Sequence, residues 1–438
     1  MHADNLIHAR WIIPVEPPNR VLEHHAIAIE QGRITALLPS REAREQISAS
    51  RVIELPGHAL IPGLINAHTH TPMSLFRGMA DDIPLMEWLE KHIWPAEQRW
   101  ISPEFVADGS RLAMAEMIRS GTTCFNDMYF FPDITGKVAL ETGMRAVLGM
   151  ILIDFPSAWA SDADGYLERA LALHDTFRNE STVSAIFAPH APYSVSDEPL
   201  LRVRTLANEL DLPIHMHVHE TADEIGQSRK QYGMRPLTRL RQLGLTGPNL
   251  IAVHMTQLQD DEIEAYAASG GHVVHCPESN LKLASGFCPV ARLLAAGINV
   301  ALGTDGAASN NDLDMLGEMQ TAALLGKGVA GNTEALPATQ VLEMATINGA
   351  RALGLEADIG SLTPGKAADI TAIDLQSIET QPVFDPVSQI VYSAGREQVS
   401  HVWVNGELLL SDGELTRINV NRLMADTGSW QDKLQQQS

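Results

Sequence analysis

Two histidines that flank one threonine, His68 and His70, follow the apolar run 60–65. Residues two apart on an extended strand share one face, so both imidazoles can point in the same direction. Imidazole nitrogen is the commonest side-chain ligand of divalent transition metals in proteins. Because the His-x-His pattern also occurs by chance, a metal site is predicted only if other segments supply further ligands.

Further imidazoles and carboxylates follow the ends of other predicted strands. They are Asp127, His190, His215, His217, His219, Glu220, His254, His275 and Asp305. Groups of this kind that converge on one rim can bind a divalent transition metal. A lone histidine at a strand end is more often a hydrogen-bonded core residue, and we interpret His215, His272 and His275 in that way. Since His215, His217 and His219 alternate, spacing alone leaves open which of them binds a metal.

The middle of the chain alternates strands with helices, which positions these side chains. The predicted strands lie at 59–65, 122–128, 145–151, 183–188, 213–218, 250–253, 272–275 and 299–302. Eight such units predict an α/β fold of the (β/α)8 TIM-barrel type, whose strand C-terminal ends carry the chemistry. A doubly wound sheet is the alternative, but no Gly-x-Gly-x-x-Gly follows an early strand to support a dinucleotide fold.

The two ends of the chain read as short strands joined by hairpins. Turns are predicted at Gln31-Gly32 and at Asn405-Gly406. We therefore expect residues 1–57 and 360–415 to form one composite β-domain, a small β-sandwich built from both termini. Residues 58–359 form the barrel in this division, and residues 416–438 form a helical tail that packs weakly.

Composition excludes several classes of partner. The formal net charge of −23 argues against nucleic acid and anionic membranes. No run of 18 apolar residues predicts a membrane span, and the N-terminal sequence lacks a signal-peptide pattern. Three cysteines, Cys124, Cys276 and Cys288, are far apart, which favours a reducing, cytoplasmic location over a disulfide framework. We expect a homo-oligomer that binds a small molecule.

Three motifs resemble a known family. "PGLINAHTH", "HMHVHE" and "LGTDGAASNN" resemble the amidohydrolase superfamily, and more closely its 5′-methylthioadenosine/S-adenosylhomocysteine deaminases. "RGMADDIPLMEWLEKHIWPAE", "GTTCFNDMYF" and "NLKLASG" are also similar to that group. The resemblance implies one Zn²⁺ per subunit, bound by His68, His70, His217 and Asp305. The family pattern His-x-x-Glu selects His217 as the ligand and leaves His219 a structural residue.

A single metal is expected rather than two. Binuclear members of the superfamily bridge their metals with a carboxylated lysine on the fourth strand. This chain has no lysine between Lys137 and Lys230, so that strand cannot supply one. The sequence also lacks the Pro-Cys-x-x-Cys signature of the other zinc nucleobase deaminases.

The resemblance also implies roles in catalysis and substrate binding. Glu220 donates a proton to the ring, Asp305 accepts one from water, and His254 holds the developing alkoxide or relays protons. Four further residues are expected to contact a nucleoside: Glu97 at the ribose hydroxyls, His190, Met150, and Ser309 at the base. Glu220 contacts the substrate as well.

These features predict a zinc-dependent hydrolytic deaminase of adenine nucleosides that prefers 5′-methylthioadenosine. Relatives that accept S-adenosylhomocysteine are thought to hold its carboxylate with two arginines. Met150 and Tyr166 fall at those positions here, although Arg145, Arg169 or a neighbouring subunit could take over the role. The alternatives are a deaminase of guanine or 8-oxoguanine, a triazine hydrolase, and an inactive barrel that serves as a binding protein.

Overall fold

Two eight-stranded sheets make up the fold. The computed structural model describes residues 2–83 and 85–436. The strands are β1 His2–Ile12, β2 Leu22–Glu30, β3 Arg33–Pro39, β4 Ser48–Pro62, β5 Leu64–Thr69, β6 Thr122–Asp127, β7 Arg145–Leu152, β8 Val183–Pro189, β9 Ile214–Val218, β10 Leu250–His254, β11 His272–His275, β12 Asn299–Leu302, β13 Ile370–Asp374, β14 Val399–Val404, β15 Glu407–Ser411 and β16 Glu414–Leu415.

Strands β5 to β12 are parallel neighbours in chain order and form the barrel. The ring closes where the chain after β12 meets β5, because the Asp305 amide donates to the His68 carbonyl at 3.0 Å. Gly303 permits this approach, since a Cβ at that position would lie 2.8 Å from the His68 amide nitrogen. The predicted (β/α)8 fold is confirmed.

The first barrel strand begins later than the sequence predicted. Residues 59–62 belong to the end of β4 and pair with β1 and β13 of the other sheet. The barrel strand starts at Leu64, after a change of sheet at Gly63, whose missing side chain leaves room for Thr123. His68 therefore lies inside a strand, and His70 lies one residue beyond it.

Helices surround the barrel and fill the connections. They are α1 Ser40–Gln46, α2 Leu85–Trp88, α3 Trp94–Trp100, α4 Pro103–Arg119, α5 Pro132–Thr142, α6 Ala163–Phe177, α7 Asp197–Leu210, α8 Ala222–Tyr232, α9 Pro236–Gln242, α10 Asp260–Ser269, α11 Pro277–Lys282, α12 Val290–Ala295, α13 Ala307–Asn310, α14 Met315–Ala330, α15 Ala338–Met344, α16 Ile347–Ala352, α17 Pro386–Tyr392 and α18 Val420–Gln435. A π-helical turn, Leu89–Ile93, joins α2 to α3. Within the described residues, no helix is both long and apolar enough to cross a bilayer.

The second sheet is built from both termini, as predicted, in the order β16-β15-β14-β13-β4-β1-β2-β3. It folds back so that the two hairpin turns meet: Ala368 donates to the Gly32 carbonyl and accepts from the Gly406 amide, at 2.8 and 3.0 Å. Ile7, Ile27 and Trp403 belong to the apolar cluster enclosed by this sheet. The exact domain boundaries stay a prediction.

The C-terminal helix packs more firmly than expected. In α18, Trp430 is buried, and its indole Nε1–H donates to Asp108 of α4 at 2.9 Å. The ring also packs edge-on against Phe105 at a centroid distance of 5.2 Å. Trp430 thus helps to hold the helix on the barrel, because a large ring buries much apolar area and its polar tip finds an acceptor.

A buried ion pair joins the barrel to the second sheet. Arg145, the first residue of β7, donates to both carboxylate oxygens of Asp369 at 2.8 and 3.1 Å. Their side chains are only 7% and 2% exposed. Asp369 also accepts from the Asn405 amide at 2.7 Å, and Arg145 donates to the Ser181 carbonyl at 3.0 Å.

We expect Arg145→Met to destabilise the protein by about 3–5 kcal/mol, because Asp369 would remain buried without its partner. The matched control is Arg202→Met, which breaks an ion pair with Asp164 whose side chains are 40% and 82% exposed and should cost at most about 1 kcal/mol. Urea unfolding followed by circular dichroism measures both. Equal midpoints for the two variants would contradict the assigned role of the buried pair.

Candidate active site

Three imidazoles and one carboxylate meet at the mouth of the barrel. His68 and His70 come from the end of β5, His217 from β9, and Asp305 from the chain after β12. The Nε2 atoms of His68 and His217 are 3.1 Å apart. Asp305 Oδ1 lies 3.3 Å from His68 Nε2 and 3.2 Å from His70 Nε2.

These separations fit a metal ion. A tetrahedral zinc site with bonds of about 2.0–2.1 Å has ligand atoms about 3.3 Å apart. His68, His70 and Asp305 form one group whose ligand atoms all lie within 4.8 Å of one another, and His68, His217 and His254 form a second. Strand β8, with the sequence VSAIFAP, carries no lysine that could bridge a second ion.

The outer nitrogens of the imidazoles are held by the fold. His70 Nδ1 donates to the Met128 carbonyl at 2.6 Å, and His217 Nδ1 donates to the His190 carbonyl at 2.9 Å. Each bond orients its ring so that Nε2 faces the cluster, which is the usual support for histidines that bind metals. Asp305 Oδ2 accepts from the Ser279 hydroxyl at 2.6 Å, which sets the plane of its carboxylate.

Electrostatics favour a cation at this point. Burial lowers the pKa of His68 to about 4 and holds the pKa of His217 well below its usual range, so both rings are neutral ligands at pH 7. Burial acts in the same direction on His70, but Asp305 outweighs it and raises the pKa of His70 to about 9. The Asp305 carboxylate therefore stabilises positive charge beside His70, as an anionic ligand of a divalent metal does.

His215 lies on the same face of β9 as His217 but does not reach the mouth. Its Nε2 is 3.0 Å from His68 Nδ1, and its Nδ1 contacts the Asn126 amide. It supports His68 from below, which agrees with the interpretation of His215 as a structural residue. His272 lies at the opposite end of the barrel, where Asn299 donates to it.

The chain turns sharply after β9, and this turn presents Glu220 to the cluster. His219 has a left-handed backbone with φ of 56°, which a residue with a side chain adopts at some cost. Its ring turns away and accepts from the Leu237 amide at 3.1 Å. The carboxylate of Glu224, in α8, accepts from the amides of His219 and Glu220 at 3.1 and 2.7 Å and stabilises the turn.

Glu220 is buried beside His254. Its Oε2 lies 4.0 Å from His254 Nε2, and burial raises the pKa of the carboxyl group. His254 Nδ1 donates to Asn280 Oδ1 at 2.9 Å, which leaves Nε2 unprotonated in the neutral ring. An acid and a base thus face the metal cluster from one side.

One cavity connects the cluster to the surface. Glu97, His190 and Ser309 line it, together with Glu220, His254 and Asp305, so the structure brings nearly all predicted site residues together. Its outer part is apolar and aromatic: Trp88, Leu89, Ile93, Trp94, Ile153 and Phe155. In the described part of the chain, no lysine or arginine lines it.

Met150 is an exception, and its predicted substrate contact is corrected. Side chains of β7 alternate, and Ile151 faces the cavity, so the neighbouring Met150 points into the hydrophobic core. Tyr166 donates to Ser157 Oγ at 2.6 Å, outside the cavity lining. Arg145 is engaged by Asp369, and Arg169 lies over the Trp159 ring, so neither provides a cation there.

Sequence reasoning missed several residues of the site. Tyr129 lines the cavity, and its hydroxyl donates to Glu97 at 2.7 Å. The available signal was its position two residues after Asp127, at the end of a barrel strand. Glu224 could have been found from Thr221-x-x-Glu224, a capping-box pattern in which Thr221 accepts from the Glu224 amide at 3.3 Å. The aromatic residues that line the cavity are not regularly spaced in the sequence, so no periodic pattern predicted them.

Comparison with known proteins agrees with this geometry. The sequence model of the amidohydrolase family matches residues 59–409. A 5-methylthioadenosine/S-adenosylhomocysteine deaminase of Saccharophagus degradans is 49% identical over 435 residues, 99% of this chain and 98% of the relative. An equivalent protein of Teredinibacter turnerae is 49% identical over 431 residues, 98% of each chain.

Solved structures extend the similarity to three dimensions. An adenosine deaminase from Xanthomonas campestris with bound zinc has a TM-score of 0.98 and 52% sequence identity, over 99% of both chains. An atrazine chlorohydrolase from Arthrobacter aurescens, complexed with zinc, has a TM-score of 0.91 at 25% identity, over 97% of this chain and 99% of its own. The resemblance seen in the sequence motifs is therefore confirmed, and the chain belongs to the amidohydrolase family.

Proposed function

We propose that this protein is a zinc-dependent hydrolytic deaminase of adenine nucleosides, with 5′-methylthioadenosine preferred. The observation that carries the proposal is the metal-sized cluster of His68, His70, His217 and Asp305 beside the buried acid Glu220. Relatives named as deaminases of 5-methylthioadenosine and S-adenosylhomocysteine support the substrate class. A zinc-bound structure named as an adenosine deaminase supports the metal.

One Zn²⁺ would be held by Nε2 of His68, His70 and His217 and by the carboxylate of Asp305. When bound, zinc supplies a Lewis acid that brings the pKa of a coordinated water close to neutrality. The short separations within this set support it over a set that includes His254, whose nitrogen faces Glu220. His254 is then free for proton transfer.

Side chains of the protein move the protons. Addition of water at C6 of adenine needs a proton on N1, and Glu220 donates it, because its raised pKa keeps the carboxyl group protonated at higher pH than usual. Asp305 or the unprotonated Nε2 of His254 accepts the proton that the attacking water loses. This proton passes to the exocyclic amine, which leaves as ammonia. The second proton of the water restores Glu220, and the product is the inosine-type nucleoside.

The outer part of the cavity supports a thioether substituent at the 5′ position. Trp88, Trp94 and Phe155 offer apolar and aromatic surface, which suits a methylthio group. The carboxylate of S-adenosylhomocysteine would enter the same region, where none of the described lining residues is a lysine or arginine, and burying an unpaired charge is costly.

The runner-up is hydrolysis of a bare ring, as in a deaminase of guanine or 8-oxoguanine or in a triazine hydrolase. The observation that favours this alternative is the structural similarity to an atrazine chlorohydrolase. Such substrates offer no vicinal hydroxyls to Glu97. Release of ammonia from nucleosides but not from free bases distinguishes the two functions. An inactive barrel is disfavoured, because the ligand cluster and Glu220 are intact.

The cellular setting is part of the same proposal. Cys124, Cys276 and Cys288 are buried free thiols, which suits a reducing cytoplasm. Absence of nucleic-acid binding and assembly into a homo-oligomer stay predictions from the sequence. Light scattering of the purified protein tests the oligomeric state.

We expect His217→Ala and Asp305→Asn each to lose zinc and at least about 100-fold in kcat/KM, since even supporting residues of metal sites cost 10–100-fold. Elemental analysis beside an ammonia-release assay measures both effects. His272→Ala is the matched control, because His272 lies at the other end of a barrel strand. Full zinc content and activity in either ligand variant would refute the ligand set.

We expect Glu220→Gln to retain zinc and to lose about 10²- to 10⁴-fold in kcat, because glutamine fills the same space without an acidic proton. Glu209→Gln on the exposed face of α7 serves as the control and should behave as wild type. If zinc content falls in parallel with turnover, Glu220 supports the metal instead of donating a proton.

We expect kcat/KM for 5′-methylthioadenosine to exceed that for S-adenosylhomocysteine by at least about tenfold, a difference of about 1.4 kcal/mol. The physical reason is the absence of a cation among the described lining residues. Adenosine should lie between the two, because it lacks both the thioether and the charge. A ratio near one, or one in favour of S-adenosylhomocysteine, defeats this prediction.

A further inference from the structure

The two residues that directly follow β6, Met128 and Tyr129, contact two different parts of the cavity. The Met128 carbonyl accepts from His70 Nδ1 at 2.6 Å and so orients a residue of the metal cluster. The next residue, Tyr129, donates its hydroxyl to Glu97 Oε1 at 2.7 Å. Two adjacent residues therefore link the metal cluster to a carboxylate on α3, on a different wall of the cavity.

Tyr129 and Glu97 differ from the other polar groups of the cavity. Glu220 and Asp305 lie at the metal cluster, whereas Glu97 lies among apolar side chains that include Ile93 and Trp94. Tyr129 is 3% exposed, so its hydroxyl has little access to water as an alternative partner. Within the described residues, the Tyr129 hydroxyl donates a hydrogen bond to the Glu97 carboxylate.

The hydrogen bond from Tyr129 determines which lone pairs of the Glu97 carboxylate remain free to accept from a ligand. A carboxylate has about four lone-pair sites, and the tyrosine hydroxyl occupies one of them. This fixes the plane of the group and leaves lone pairs on both oxygens for ligand donors. Burial raises the pKa of Glu97 to about 7, while Tyr129 and the charge of His70 oppose the rise and favour the ionised, acceptor-only form.

We propose that Tyr129 is a positioning residue: it fixes the Glu97 carboxylate, the group already expected at the ribose hydroxyls, and thereby strengthens the preference for a substrate that carries a vicinal diol. The inference rests on the proposed function, because it assumes a nucleoside whose base lies at the metal cluster. Two neighbouring hydroxyls can donate to the two oxygens of one fixed carboxylate. A deoxyribose or a free base lacks these donors and gains nothing from the arrangement.

The test compares wild type with Tyr129→Phe on adenosine and on 2′,3′-dideoxyadenosine, which differ only in the diol. Phenylalanine retains the ring, which packs edge-on against Phe130 at 5.4 Å, and removes the donor. We expect kcat/KM for adenosine to fall about 10- to 100-fold, mainly through KM, as expected for a lost hydrogen bond to a charged group. The value for dideoxyadenosine should change by less than about threefold.

A double-mutant cycle with Glu97→Gln separates positioning from simple packing. If Tyr129 acts through Glu97, then Tyr129→Phe should cost adenosine little further activity in the Glu97→Gln background. Tyr266→Phe is the matched control, because that buried hydroxyl donates to the His272 carbonyl at the other end of the barrel. Zinc content should be equal in all of these proteins.

The possible outcomes separate the inference from the proposed function. An equal loss on adenosine and dideoxyadenosine, or no loss on adenosine, overturns the role of Tyr129 while leaving the deaminase intact. Additive losses in the cycle also overturn it. A wild-type protein that deaminates neither nucleoside refutes the proposed function, and the inference with it.

Discussion

The structure depends on one constraint: nitrogen and oxygen atoms that could bind a metal face one another in a buried site, and the fold must hold them there. Nε2 atoms of three histidines and one oxygen of Asp305 lie 3.1–3.3 Å from their neighbours in a buried site. The oxygen of Asp305 and the Nε2 atoms of the neutral rings of His68 and His217 are acceptors, so they repel one another unless a positive charge lies between them. The fold must therefore hold each group in place before a metal binds. It does so through backbone carbonyls at His70 and His217 and through barrel closure at Asp305.

The barrel topology lets several strands contribute side chains to this site, because all of the parallel strands end at the same rim. The clearest case is the end of β6, where four consecutive residues each support a different part of the site. Asn126 contacts His215, Asp127 accepts from the Thr71 amide, Met128 orients His70, and Tyr129 holds Glu97. A shift of this one segment would change both the orientation of His70 and that of the Glu97 carboxylate. The distance between the two depends on Met128 and Tyr129, the two residues that directly follow β6.

The sequence predicted the elements that follow from local patterns. Strands β11 and β12 begin and end where they were expected. The first barrel strand was misplaced because residues 59–65 are apolar throughout, and apolarity does not record a change of sheet at Gly63. Met150 was misassigned for a related reason: in a strand buried on both sides, the sequence alone does not tell which residues face the cavity.

The site residues show the same difference: some follow from local sequence patterns, and others depend on contacts that only the fold creates. Alternation at His215, His217 and His219 left three candidates open, and only the family motif selected one. The structure supplies the physical reason: β9 ends at Val218, His215 lies too deep, and His219 turns away. Tyr129 and Glu224 escaped notice because their partners are set by the fold. Tyr129 meets Glu97 from a separate element, a pairing that no local pattern contains.

Three residues of the site, each at or just after the end of a barrel strand, have a strained backbone. His219, His254 and Asp305 have φ of 56°, 75° and 64°, although none of them is glycine. Each such residue costs on the order of 1–3 kcal/mol, and the cost persists only where other contacts impose it. At His219 the imposing contact is the Glu224 carboxylate, which binds two successive amides of the turn. The turn directs Glu220 back toward the cluster, where an extended strand would carry it past the rim. Backbone stability is thus given up at the residues that bring the side chains of Glu220, His254 and Asp305 to one point.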